Sequence, residues 1–180
     1  QAVGKWLLFV NPDAEFIDDS LKNALNYIKK NKNIAVVGPQ IIQFSTKAPQ
    51  PWTSGKKSSL IQIVFRNTFR KPWNKKTPTL VDWVSGTTLL TSKKIFLEVG
   101  GFDEAFFMYF EDQDFCLRAK KNNQKIVFYP KFKILHHDGK SWGNKADQKK
   151  YYYQSQDIFF QKHHNFLNYN KTISLKINNI

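Results

Sequence analysis

The sequence predicts an α/β domain, and three observations carry the prediction. Apolar runs of strand type, KWLLFV, NIAVVGPQII, LVDWV and KIVFYP, alternate with segments of helical character. Conspicuous polar residues stand directly after such runs, at the strand ends where open α/β sheets bind ligands. A length of 180 residues with 41% hydrophobic content suffices for one packed core.

The elements follow in order. KWLLFV reads as a strand buried on both faces, because its apolar run is continuous rather than alternating. In DDSLKNALNYIKKN, Leu21, Ala24, Leu25 and Ile28 share one helix face. Asp18, Asp19 and Ser20 supply capping groups at its start, and Lys29 and Lys30 suit its C-terminal end. NIAVVGPQII is a second buried strand, interrupted by Gly38-Pro39. Residues 45–79 carry four prolines with many Lys, Ser and Thr, and read as a long irregular excursion with a short helix near Leu60–Arg66. LVDWVSGTTLLTS gives two strand-like pieces around Ser85-Gly86. KKIFLEVGG is a short helix, with Ser92 as N-cap and Gly100 at its end. Glu111 to Asp114 suit the N-terminus of the next helix, whose apolar stripe of Phe115, Leu117 and Ala119 is weak. KIVFYP and KFKILHH are short strands. Residues 145–168 form an aromatic-rich helix that Tyr152, Phe159, Phe160 and Phe166 dock on the body, and 169–180 are a polar tail.

Composition narrows the partners. Net charge is +14, which suits nucleic acid, an acidic membrane surface or a phosphorylated small molecule. A single cysteine, Cys116, rules out an internal disulfide and favours a reducing, cytoplasmic setting. No apolar run approaches the ~20 residues of a membrane-spanning helix, and no signal-peptide pattern is visible. Helix-turn-helix, zinc-finger and RNP-like signatures are lacking, so a basic nucleic-acid-binding module is the lesser alternative and no nucleic acid is expected as partner.

Three polar groups could carry chemistry: Asn11-Pro12-Asp13, Glu111-Asp112-Gln113-Asp114, and His136-His137-Asp138. Like charges packed beside an aromatic wall raise a carboxylate pKa toward general-base duty near neutral pH. The competing reading is a solvated helix N-terminus with dipole-favoured acids. One carboxylate and one imidazole can share a divalent ion that also binds diphosphate oxygens. Taken singly, Asp13 also fits a turn residue and the histidines a structural pair.

LLFVNPDAEF, the block VDWVSGTTLLTSKKIFLEVGGFDEAFFMYFEDQDFCLRAKKNNQKIVFYP, and KILHHDGKSW closely resemble family 2 nucleotide-sugar glycosyltransferases, nearest the rhamnosyltransferase-like bacterial enzymes. The resemblance runs from about Gly4 to about Asn165, and residues 1–168 are read as one partial glycosyltransferase domain. It implies a GT-A, Rossmann-like fold with a mixed sheet flanked by helices, and sugar transfer with inversion. Asp13 would bind Mg²⁺ or Mn²⁺ at the donor diphosphate, with His136, rather than His137, as the metal-proximal histidine. Asn11 would line the same spot. Asp112, paired with Glu111, would be the catalytic base, and Trp83, Ser85, Gly86 and Asp114 would line the donor–acceptor cleft. The implied partners are a nucleotide-diphosphate sugar and a glycan or lipid-linked glycan acceptor, with an anionic membrane surface nearby and a peripheral place on the inner membrane face.

Such enzymes begin with a nucleotide-binding half, whereas this chain starts at Gln1, just before the NPD strand. The expectation is a C-terminal portion with that half missing, weakly active or inactive alone; an inactive sugar-binding remnant is the alternative.

Overall fold

The computed structural model describes residues 2–57, 75–137 and 145–163. The NIAVVGPQII strand is covered on both faces as expected. The KWLLFV strand, expected to be buried on both faces, is only partly buried and ends in exposed Val10, because it lies at the end of the sheet. β1 (Trp6–Val10), β2 (Ala14–Phe16), β3 (Ile34–Gln43), β5 (Thr79–Val81), β7 (Thr88–Ser92) and β8 (Lys125–His136) form one mixed sheet. Its order is β1-β7-β3-β8-β2, with β5 also paired to β8. β4 (Ser54–Gly55) and β6 (Trp83–Val84) make a separate two-stranded sheet. β3 and β8 are parallel, while β7 runs antiparallel to both β1 and β3.

The continuous apolar runs have a physical cause, because neighbouring residues point into different cores. On one face Val37, Leu90, Val127, Tyr129 and Ile134 meet α1 (Ser20–Lys30), which contributes buried Ala24 and Ile28 with Leu21 and Leu25 partly buried beside them. On the other face Leu89, Ile126 and Phe128 meet α2 (Lys93–Glu98) and α3 (Glu111–Lys121) through Ile95, Phe96, Phe115, Cys116 and Ala119. A third cluster, with Phe110, Leu117, Phe159 and Phe160, seats α4 (Lys145–His163) on the loop before α3. Phe166, expected to help dock this helix, lies outside the described residues, as does the short helix expected near 60–66.

Several boundaries differ from the sequence reading. Gly38-Pro39 does not interrupt β3, which continues to Gln43. Gly38 is required there, since a Cβ would stand 2.4 Å from the Val84 Cβ. KIVFYP and KFKILHH are one strand, β8, whose register against β3 jumps from Pro39↔Tyr129 to Gln40↔Lys133. Such a bulge accommodates Pro130, which has no N–H to give a ladder. Residues 45–57 are less irregular than expected: β3 turns back at Lys47, where φ is +54°, and Gln43 N donates to Ala48 O and Gln50 N to Ile41 O. Ser92 caps α2 as expected, its Oγ accepting from Ile95 N at 3.1 Å, and Gly100 follows with φ +81°. The α1 start differs, since Asp19 makes no side-chain cap and Asp18 Oδ1 instead accepts from Ser20 N.

Candidate active site

β1, β3 and β8 run in the same direction and end at one rim, where β7 begins. After β1 the chain turns through Asn11-Pro12-Asp13: Asn11 N donates to Thr87 O at 2.9 Å and Ala14 N to Asn11 O at 3.1 Å. β2 then pairs with the end of β8, Ala14 opposite His136, and His137 N donates to Asp13 O at 2.9 Å. This double tether sets the Asp13 carboxylate against the His136 ring, Oδ1 to Nε2 3.3 Å, with side chains only 10% and 11% exposed. The other ring nitrogen, Nδ1, lies 3.0 Å from Gln50 Oε1. His137 turns outward instead: its Nε2 is 3.2 Å from Glu15 Oε2 and its ring stacks on Phe44 at 4.0 Å.

The acidic pair occupies the first turn of α3, after two aromatic residues of left-handed backbone, Tyr109 and Phe110. Gly86 N donates to Asp112 Oδ2 at 2.7 Å, and Gln113 N donates to Oδ1 at 2.7 Å. A Cβ on Gly86 would lie 3.4 Å from Glu111 Oε1, so both carboxyls crowd the Ser85–Thr87 turn. Ser85 N donates to Thr53 O at 2.7 Å and its Oγ to Thr87 Oγ1 at 3.0 Å. Thr87 therefore touches the Asn11 turn on one side while Gly86 holds Asp112 on the other. Asn11, Asp13, Ser85, Gly86, Glu111, Asp112 and His136 converge on this rim, although they come from four separate chain segments.

Electrostatics distinguish the two pairs of groups. Burial, then the charge of Asp112, pushes Glu111 up to about 8. Burial also raises the Asp112 pKa, against the opposing pull of the Gly86 and Gln113 N–H groups. Glu111 Oε2 is buried with no hydrogen-bond partner among the described residues, as expected for a carboxyl kept protonated near neutral pH. Asp13 and His136 offer one hard oxygen and one imidazole nitrogen, a donor pair suited to Mg²⁺ or Mn²⁺ when diphosphate oxygens or water complete the shell. Among the described residues, no three His, Cys, Asp or Glu side chains gather around one point as a self-sufficient metal cage.

Two residues expected in the cleft lie elsewhere. Trp83 is 4% exposed in the core, its Nε1 donating to Lys56 O at 3.0 Å. Asp114 faces α4 instead of the rim: its fully buried carboxylate accepts from Arg118 Nε at 2.8 Å and His163 Nε2 at 2.7 Å, with Lys162 Nζ at 2.8 Å. Burial opposes its ionisation, but the bonds from His163, Lys162 and Arg118 outweigh it and hold Asp114 well below the usual carboxylate range. Sequence reading missed Gln50, Thr53 and Thr87. The only local sign for Gln50 is its place between Pro49 and Pro51, which hold the returning strand extended.

The mixed sheet flanked by helices is the GT-A fold of glycosyltransferases. The crystal structure of GalNAc-T7 with UDP, GalNAc and Mn²⁺ matches it with a TM-score of 0.60 over 87% of this chain and 34% of that one, at 16% identity. In sequence the chain is a homologue of rhamnosyltransferases. It is 30% identical over 152 residues to rhamnosyltransferase WbbL of Escherichia coli K12, covering 78% of this chain and 56% of that protein. It is 28% identical over 174 residues to the N-acetylglucosaminyl-diphospho-decaprenol L-rhamnosyltransferase of Mycobacterium tuberculosis, covering 90% of this chain and 57% of that protein. The chain thus spans little more than half the length of these relatives. No family model matches it.

Proposed function

We propose that this chain carries the catalytic rim of an inverting glycosyltransferase, which moves a sugar from a nucleoside-diphosphate donor to an acceptor hydroxyl. The observation that carries the reading is the turn Ser85–Thr87, which joins the Asp13–His136 pair to the Glu111–Asp112 pair. Inversion requires one in-line displacement at the anomeric carbon. Asp112 takes the proton of the acceptor hydroxyl as that oxygen attacks; the bond from the anomeric carbon to the diphosphate oxygen breaks, and the diphosphate leaves with the electron pair. A base with a raised pKa suits this step near neutral pH. Gly86 N–H fixes the Asp112 carboxylate, and Glu111 beside it holds a proton, so one negative charge rather than two faces the acceptor. Asp13 and His136 would hold a divalent ion, which offsets the charge gathering on the leaving diphosphate. The relatives' names point to an activated rhamnose as donor and a lipid-linked glycan as acceptor. With net charge +14, lysines would hold the protein near an anionic membrane surface bearing that acceptor.

Asp112→Asn in the intact protein tests the base role. Transfer from a nucleoside-diphospho-rhamnose should fall by roughly 10²–10⁴ fold, with the affinity for the donor retained. An unchanged turnover removes Asp112 from the mechanism. A product with retained anomeric configuration, read by NMR coupling, removes inversion.

A further inference from the structure

We propose that Gln50 is a positioning residue that aims His136 Nε2 at the ion-binding spot beside Asp13. The inference rests on the proposed metal role and adds a residue to it that no motif marks. β3 ends beside β8, with Gln43 opposite His136 in parallel register. The chain then folds back on itself: Lys47 takes a left-handed φ of +54°, Ala48 returns to Gln43, Pro49 bridges to Ile42, and Gln50 N donates to Ile41 O. This hairpin delivers the Gln50 side chain behind the imidazole, Oε1 to Nδ1 3.0 Å, while Asp13 stands in front of Nε2 at 3.3 Å. The two nitrogens therefore have different surroundings.

An imidazole can ligate through Nε2 only when the proton sits on Nδ1, and an acceptor at Nδ1 selects that tautomer and fixes the ring plane. A glutamine amide oxygen does both without adding charge next to the Asp13 carboxylate. The loop is also held at its far end, since Thr53 Oγ1 donates to Gln50 O and Thr53 O accepts from Ser85 N. Orientation of His136 is thereby tied to the turn whose Gly86 N–H holds Asp112.

The test compares Gln50→Met, which keeps length and apolar volume but loses the acceptor, with Gln50→Glu, which keeps an acceptor at the same reach. The probe is Mn²⁺ alone, titrated into the intact protein and followed by the loss of the free-ion EPR signal, with thermal midpoints measured in parallel. Loss of a partner of this kind weakens metal binding about 10–100 fold. The expectation is a Kd raised by that order in Gln50→Met, a Kd at or below wild type in Gln50→Glu, and thermal midpoints that do not follow this pattern. In the Mg²⁺ complex, the ¹⁵N spectrum of His136 should show the proton on Nδ1. Equal Mn²⁺ affinity in wild type and Gln50→Met, or equal loss in both variants, overturns the role of Gln50 while leaving the metal site standing. No Mn²⁺ binding by the wild type overturns the metal reading and this inference together.

Discussion

Glu111 and Asp112 stand side by side at the start of α3, and their titration links the site to stability. A Glu111 carboxyl raised from 4.5 to about 8 binds its proton in the folded protein across a range where the unfolded chain has released it. The folded state therefore loses relative stability as pH rises from about 4.5 to about 8, by at most about 1.4 kcal/mol per pH unit for this one group. Glu111→Gln removes that dependence, leaving the slope that Asp112 contributes in the same direction. Urea midpoints measured through this range should fall less steeply in the variant than in wild type; parallel slopes would show that Glu111 titrates as an ordinary surface acid. On the mechanism proposed above the base must be ionised while its neighbour keeps a proton, so transfer should climb as pH rises through the first ionisation of the pair. These carboxyls were legible in the sequence as an acidic cluster behind an aromatic run. Asp114, two positions on, has Arg118 at i+4 as a readable partner, but its contacts with Lys162 and His163 depend on the packing of α4, which local sequence does not encode.

At the scale of elements, α4 is fastened to α3 by that buried acid. Asp114 faces Arg118 on its own helix and Lys162 and His163 on α4, while Arg118 also donates to Val99 O and to Gly101 O. Phe159 and Phe160, at 0% and 2% exposure, supply the apolar part of the same joint. Asp114→Asn leaves Arg118 and Lys162 facing a neutral amide, and breaking a buried pair in this way costs about 3–5 kcal/mol. The loss should appear in denaturant unfolding and as faster amide exchange along α4; exchange unchanged in α4 would mean the aromatic contacts alone hold it. Because the Asp114 pKa is lowered, its contribution is complete above the ordinary carboxylate range and disappears only as pH falls well below it. Local signals identified α1 and α2 well, through the Leu21–Ile28 stripe and the Ser92 cap. They failed at β8, where Pro130 suggests a break that a bulge absorbs, and at the hairpin carrying Gln50. The His136–Gln50 contact joins residues 86 positions apart, and periodicity encodes only near neighbours.

For the whole molecule, the decisive feature is that strands far apart in sequence end at one rim, so that single polar residues after apolar runs become neighbours. The alternation of elements made the α/β class readable, and the rule that ligands meet strand ends pointed to Asp13 and to the His136–His137 pair, the choice of His136 within that pair resting on the family resemblance. Which strands are adjacent was not readable, since the order β1-β7-β3-β8-β2 depends on long-range pairing. That order leaves β1 at one end of the sheet, paired with β7 alone among the described residues. Its residues Trp6 to Phe9 are apolar and only partly buried, and an unpaired apolar edge is a template for another strand. The isolated chain should therefore associate as its concentration rises, with the backbone amides of Trp6–Val10 becoming protected in step. Sedimentation combined with hydrogen-exchange mass spectrometry reads both quantities. A chain that stays monomeric, or that associates while Trp6–Val10 exchange freely, would place the sticky surface elsewhere. Strong protection of β1 would mark this edge, which runs directly into the Asn11–Asp13 turn, as the surface through which the chain associates.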